Sequence, residues 1–187
     1  MPENRILIID FGGQYNQLIA RRVRECGVYS EVRGYESVDL AAIREFDPKG
    51  IIFTGGPQSA YGEGAPSIDD GIFQLGLPVL GICYGAQLMA YRLGGRIASA
   101  PTSEYGRTEV AVDGKEGILR AADDVNVCWM SHTDYICEPP EGFTVTAHTE
   151  DCPVAAMEDR SRGFYAVQFH PEVNHTEHGA AFLRAFV

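Results

Sequence analysis

The chain has no basic run longer than Arg21-Arg22, and its 15 lysines and arginines are outweighed by 26 aspartates and glutamates. The resulting formal net charge of −11 argues against non-specific binding to nucleic acid or to an anionic membrane. A basic protein partner, or simple solubility, fits that charge equally well. No stretch approaches the roughly 18 to 20 apolar residues of a membrane-spanning helix. The opening Met1-Pro2-Glu3-Asn4 lacks the basic and apolar regions of a secretory signal. Cysteines are few, odd in number at five, and without CxxC spacing. That excludes a disulfide framework and leads us to expect free thiols in a reducing cytoplasm. Internal repeats, low-complexity tracts and interdomain linkers are missing too. Neither Phe11-Gly12-Gly13 nor Gly62-Glu63-Gly64 is followed by the Lys-Ser/Thr of a phosphate-binding loop, so no nucleotide site is expected in this chain.

What is present is an ordinary globular composition, with 45% hydrophobic and 22% charged residues over 187 positions. That length fits one domain, 1–187, able to bury about 70% of its unfolded surface. Apolar runs at Arg5–Asp10, Gly50–Phe53 and around Val79 read as strands, and Ser30–Arg33 as a short strand. Helical periodicity at Gln14–Cys26, Val38–Phe46 and Ser67–Leu75 alternates with them. This alternation predicts an α/β fold with an open, mostly parallel, twisted sheet flanked by helices. From Glu104 onward the texture changes. Thr108–Val112, Thr144–His148 and Val154–Met157 read as added antiparallel strands, Gly163–Phe169 as a further strand, and Gly179–Val187 as a terminal helix.

Chemistry concentrates in two short segments. Gly81-Ile82-Cys83-Tyr84-Gly85-Ala86-Gln87 follows the apolar Leu77-Pro78-Val79-Leu80 and opens into a helix that closes on Gly94-Gly95. Glycines two before and two after Cys83 permit the sharp strand-to-helix turn of a nucleophile elbow. A thiol there sits at a helix N-terminus, where the dipole and free N–H groups favour the thiolate. Gln168-Phe169-His170-Pro171-Glu172-Val173 supplies a base and an orienting carboxylate two residues apart, on one face of an extended chain. A lone cysteine after a strand is otherwise a small core residue, and His-Pro-Glu alone is a turn with a surface ion pair. Found together, they are the parts of an activated-thiol hydrolase.

With the upstream Thr54-Gly55-Gly56-Pro57, these segments resemble the class I (triad-type) glutamine amidotransferases, and the likeness covers essentially the whole chain. Asp10-Phe11-Gly12-Gly13-Gln14-Tyr15, Trp129-Met130-Ser131-His132-Thr133-Asp134 and the run to Val173-Asn174-His175-Thr176 resemble the glutaminase branch that serves GMP synthesis. Gly13 departs from the serine expected there in many relatives, without apparent catalytic consequence. The resemblance implies a flavodoxin-like sheet and glutamine as substrate, with Cys83 as nucleophile, His170 as base and Glu172 as its orienting acid. It implies an oxyanion hole of the Gly56 and Tyr84 backbone N–H groups, and substrate contacts from Gly55, Gln87 and Ser131. Gln87, four residues past Cys83, faces the same side of the helix; its amide is expected on the amide end of glutamine. The implied partner is a GMP synthase ATP-pyrophosphatase (synthetase) subunit, which would bind ATP and Mg²⁺; no cofactor is expected in this chain. Because no synthetase follows Val187, that partner is expected as a separate chain or as the remainder of an excised protein. Candidate contact residues are His132, Asp134, Asn174, His175 and Thr176.

Other readings stay open at this point. The same glutaminase could serve another acceptor, such as anthranilate synthesis. A non-catalytic regulatory protein and a cysteine peptidase are possible on the same sheet. His170, Glu172, His175, Glu177 and His178 form a dense cluster of potential ligands. No metal site is expected there, because the H-E-x-x-H order is missing and Pro171 opposes a ligand-bearing helix.

Overall fold

The computed structural model describes residues 2–187. Its central feature is one sheet of nine strands among the described residues. The first half follows the alternation read from sequence: β1 (Arg5–Asp10), α1 (Asn16–Glu25), β2 (Tyr29–Gly34), α2 (Leu40–Phe46), β3 (Gly50–Phe53), β4 (Val79–Ile82) and α3 (Tyr84–Arg92). α2 begins where the Asp39 carboxylate accepts from the Ala42 N–H at 2.7 Å, an ordinary N-cap. The Ser67–Leu75 region forms only a 3₁₀ turn over Asp70–Gln74. Gly71 lies against Leu40 there, and Gly76 adopts a positive φ, so an α-helix has neither the propensity nor the room to extend.

The second half supplies β5 (Arg96–Val112), β6 (Val125–Glu138), β7 (Thr144–His148), β8 (Ala156–Asp159), β9 (Phe164–Val167) and α4 (Gly179–Phe186). The strand order is β2-β1-β3-β4-β9-β8-β7-β5-β6. Pairing is parallel from β2 to β9 and antiparallel from β9 to β6. The long β5–β6 hairpin is not among the elements read from the sequence, which assigns no strand to Val125–Glu138. Its register slips between Ser99 and Glu104, and the extra β5 residues bulge there.

The central strands are apolar throughout because both faces are covered. Ile6 and Ile8 of β1 pack on one side with Ile19, Ala20 and Val23 of α1 and with Phe182 and Leu183 of α4. Leu7 and Ile9 pack on the other with Ile43 and Phe46 of α2 and with Leu88 and Met89 of α3. The side-chain period of two thus divides one strand between two cores. The carboxyl ends of β1, β3 and β4 therefore open at one rim, the usual place for a ligand crevice in such sheets.

Candidate active site

At that rim Cys83 connects β4 to α3 with φ 54° and ψ −109°. This left-handed-side conformation is strained for a residue with a Cβ. It is held from several sides: the Cys83 N–H donates to the Val167 carbonyl at 2.8 Å, the Gly85 N–H to the Thr54 carbonyl at 3.0 Å, and the Gln87 N–H to the Cys83 carbonyl at 3.1 Å. Both flanking glycines are sterically required. A Cβ on Gly81 would lie 2.6 Å from the Gly85 carbonyl oxygen, and one on Gly85 would lie 2.5 Å from both Cβ and O of Phe53. The elbow read from sequence is therefore present in backbone angles, with the Cys83 side chain on a cleft of about 350 Å³.

His170 lies across the cleft from the end of β4. β9 ends at Val167, and the next residues leave the sheet to run against β6. The His170 N–H donates to the Trp129 carbonyl at 2.9 Å, and the Thr176 hydroxyl donates to the His170 carbonyl at 2.6 Å. His170 Nδ1 is 2.6 Å from Glu172 Oε1, and both side chains are buried. That pairing fixes the ring and leaves Nε2 for the thiol. Burial by itself pulls the His170 pKa down. The Glu172 carboxylate and the hydrogen bond to Cys83 more than offset it, so the pKa is raised well above its ordinary 6.5. The raised value favours the imidazolium, so the ring keeps a proton that it takes from the thiol, with the Glu172 carboxylate as its counter-charge.

The Gly55-Gly56 turn closes one wall. Gly55 sits where a Cβ would be 3.3 Å from His170 Cε1 and 3.8 Å from Cys83 Cβ; a Cβ on Gly56 would lie 2.7 Å from the Phe11 carbonyl oxygen. The Thr54 hydroxyl donates to the Gly55 carbonyl at 3.0 Å and accepts from the Phe11 N–H, so the turn is anchored to β1. Gly13 packs against this wall. A Cβ there would lie 2.5 Å from the Gly55 oxygen, so a serine would require the turn to shift.

Gln87, the Ser131–Asp134 segment of β6 and Cys83 all line the same cleft. Gln87 is buried rather than solvated, and its amide nitrogen is committed. Nε2 donates to the Asp134 carbonyl at 2.9 Å and to Gln168 Oε1 at 3.1 Å, which leaves the Gln87 carbonyl for a ligand. The Ser131 carbonyl is 3.5 Å from Cys83 Sγ. The Asp134 carboxylate accepts from the Ser59 and Tyr61 hydroxyls, tying the loop after Gly56 to β6. Gln168, which sequence reasoning passed over, is 1% exposed and places Nε2 3.6 Å from Cys83 Sγ. Its signal was its spacing, two residues before His170 in an extended run.

Of the five residues read as partner contacts, His132 and Thr176 are buried, with 4% and 6% exposure, and cannot serve. Asn174 and His175 are exposed and Asp134 half-buried. The dense His/Glu cluster does not converge: His175 meets Arg107, His178 meets Asp123, and Glu177 accepts from the Val127 N–H. Among the described residues, no helix is long and apolar enough to cross a membrane.

A strained cysteine elbow facing a His–Glu pair at the rim of a parallel sheet is the arrangement expected of the triad-type amidotransferases. The chain belongs to that family: the model of the class-I glutamine amidotransferases matches residues 7–187. It is 58% identical over 182 residues to the GMP synthase (glutamine-hydrolyzing) of Clostridium perfringens, covering 97% of this chain and 36% of that protein. Identity is also 58% to the same-named protein of Clostridium botulinum, over 100% of this chain and 36% of that one. The chain therefore spans 36% of the length of these relatives. The crystal structure of a GMP synthase component from Thermoplasma acidophilum superposes with a TM-score of 0.84 at 32% identity, covering 100% of this chain and 93% of that one. A glutamine amidotransferase of Thermotoga maritima shares the fold, with a TM-score of 0.74 at 21% identity over 92% and 78% of the two chains.

Proposed function

We propose that this chain is the glutaminase component of a GMP synthase. It would hydrolyse glutamine to glutamate and ammonia and pass the ammonia to an ATP-dependent synthetase that aminates XMP. The observation that carries the reading is the Cys83 elbow set against the buried His170–Glu172 pair. His170 takes the thiol proton through Nε2, the Cys83 sulfur attacks the side-chain carbonyl of glutamine, and a tetrahedral oxyanion forms. The backbone N–H of Tyr84 at the start of α3 and that of Gly56 are the donors for that oxyanion. His170 then protonates the departing ammonia, leaving a thioester on Cys83. Water, deprotonated by His170, cleaves the thioester and releases glutamate. Glu172 orients the imidazole and stabilises its charged form throughout. The Gln87 carbonyl accepts from the substrate amide, while Gly55 and Ser131 bound the rest of the substrate. No metal enters these steps; ATP and Mg²⁺ belong to the synthetase. The identity to proteins named GMP synthase supports this acceptor over anthranilate synthesis, and Asp134, Asn174 and His175 are the contacts proposed for the synthetase.

The test is glutamate release by wild type and by Cys83→Ala, each alone and with a GMP synthase synthetase supplied with XMP and ATP. Wild type is expected to hydrolyse glutamine slowly alone. It should accelerate about 5- to 150-fold in the full mixture, for a coupling of ~1–3 kcal/mol. Cys83→Ala should release no glutamate, while the mixture still forms GMP from added ammonium. Glutamate release by Cys83→Ala at the wild-type rate would overturn the nucleophile. Equal wild-type rates in all mixtures would overturn the partner.

A further inference from the structure

One buried polar cluster is unused by the steps above. Glu104, next to the bulge of β5, faces His132 on β6, with Oε1 2.9 Å from His132 Nε2. Its other oxygen accepts from the Thr149 hydroxyl at 2.7 Å, and Thr149 Oγ1 accepts in turn from the Cys152 N–H at 2.9 Å. The opposite ring nitrogen, His132 Nδ1, is 2.7 Å from the Asp134 carbonyl oxygen. That same oxygen accepts from Gln87 Nε2. Gln87 Nε2 also donates to Gln168 Oε1, and Gln168 Nε2 reaches Cys83 Sγ. A continuous set of hydrogen bonds thus runs from a carboxylate outside the cleft, through two side chains that line it, to the sulfur.

Resting on the glutaminase reading, we infer that Glu104 is a positioning residue for the glutamine site. It holds His132, which holds the Asp134 carbonyl, which turns the Gln87 amide so that its oxygen faces the substrate. Glu104 does not line the cleft, so it acts only through these neighbours. Both partners of the His132 ring are acceptors, so the network is complete when each ring nitrogen carries a hydrogen; removing a member leaves a buried donor or acceptor unmatched. Glu104, His132 and Cys152 also place potential metal-ligand atoms within 4.8 Å of one another. Those atoms are already engaged, however: both ring nitrogens, both carboxylate oxygens and the Cys152 thiol, which donates to the Val154 carbonyl. The grouping is a hydrogen-bonded support.

The test uses Glu104→Gln and Thr149→Val in the 187-residue chain, with thermal melts to confirm folding. Glu104→Gln keeps the shape but presents an NH₂ to one of its two donors. KM for glutamine is expected to rise roughly 5- to 50-fold, with kcat changed less than about threefold. Inactivation by a glutamine-shaped diazo-ketone should slow by the same factor as KM rises. Alkylation of Cys83 by iodoacetamide, which needs no glutamine pocket, should keep the wild-type rate. Thr149→Val, which removes the hydroxyl that holds Glu104 and with it the acceptor for the Asp151 and Cys152 N–H groups, should move KM in the same direction by about threefold. An unchanged KM in either folded variant overturns the inference, as does an iodoacetamide rate that falls in step with the diazo-ketone rate. If wild type itself releases no glutamate, the glutaminase reading fails instead.

Discussion

Replacing Glu172 with glutamine probes the central pair with almost no change in volume. Glu172 Oε1 lies 2.6 Å from His170 Nδ1, with both side chains buried, and Glu172 Oε2 has no protein partner. The amide removes the charge that most raises the His170 pKa and leaves burial, which lowers it. It can also present its NH₂ to Nδ1, placing the ring hydrogen on Nε2, where it blocks acceptance of the thiol proton. Carboxylate-to-amide changes of this kind in a nucleophile–His–acid triad cost about 10⁴ in kcat, and a loss of that order is expected here. Stability should change with a definite sign. A histidine pKa raised on folding contributes stability that is fully present below 6.5 and is lost as pH rises through the folded value. Breaking one partner of a buried pair costs about 3–5 kcal/mol; retention of a hydrogen bond by glutamine reduces this to about 2–3 kcal/mol. Urea unfolding of wild type and variant at about pH 6 and about pH 9 should therefore show a larger gap at the lower pH. A variant within tenfold of wild-type kcat, or a stability gap independent of pH, would refute the assignment of Glu172.

Two further outcomes follow from the packing. A diazo-ketone analogue of glutamine should label Cys83 and spare the other four cysteines in peptide mapping. Burial, aided by Glu177 and Glu104 respectively, pushes the Cys128 and Cys152 thiols up to about 12, and Cys26 and Cys137 lie outside the cleft. Label on any of these four would move the site. Gly85→Ala should lower stability by about 2–4 kcal/mol in urea unfolding, because the new Cβ meets Phe53 backbone and Cβ at 2.5 Å. A loss under about 1 kcal/mol would mean that the elbow is less tightly fixed than these contacts require.

What the sequence by itself determined is whatever depends on neighbours along the chain. The parallel half of the sheet was legible because strands buried on both faces must be apolar throughout, and Arg5–Asp10 and Gly50–Phe53 are nearly so. The elbow was legible because only Gly-x-Cys-x-Gly tolerates so close a strand and helix, and the His170–Glu172 pair because two residues in extended chain share a face. Only the tertiary structure decided the second wall of the cleft. The β5–β6 hairpin carries no long apolar run, and its bulge sets Glu104 opposite His132, 28 residues away. Thr149 meets Glu104 across 45 residues and Gln87 meets Gln168 across 81. Contacts between segments so far apart leave no periodic trace. For that reason His132 and Thr176 could be read as an exposed face when they are buried, and which end of the Gln87 amide is open to a ligand could not be read at all. The contact between Gly13 and the Gly55 carbonyl, across 42 residues, is likewise absent from any local pattern. Local pattern specifies which backbone can form; burial and hydrogen-bond partners exist only once distant strands are paired.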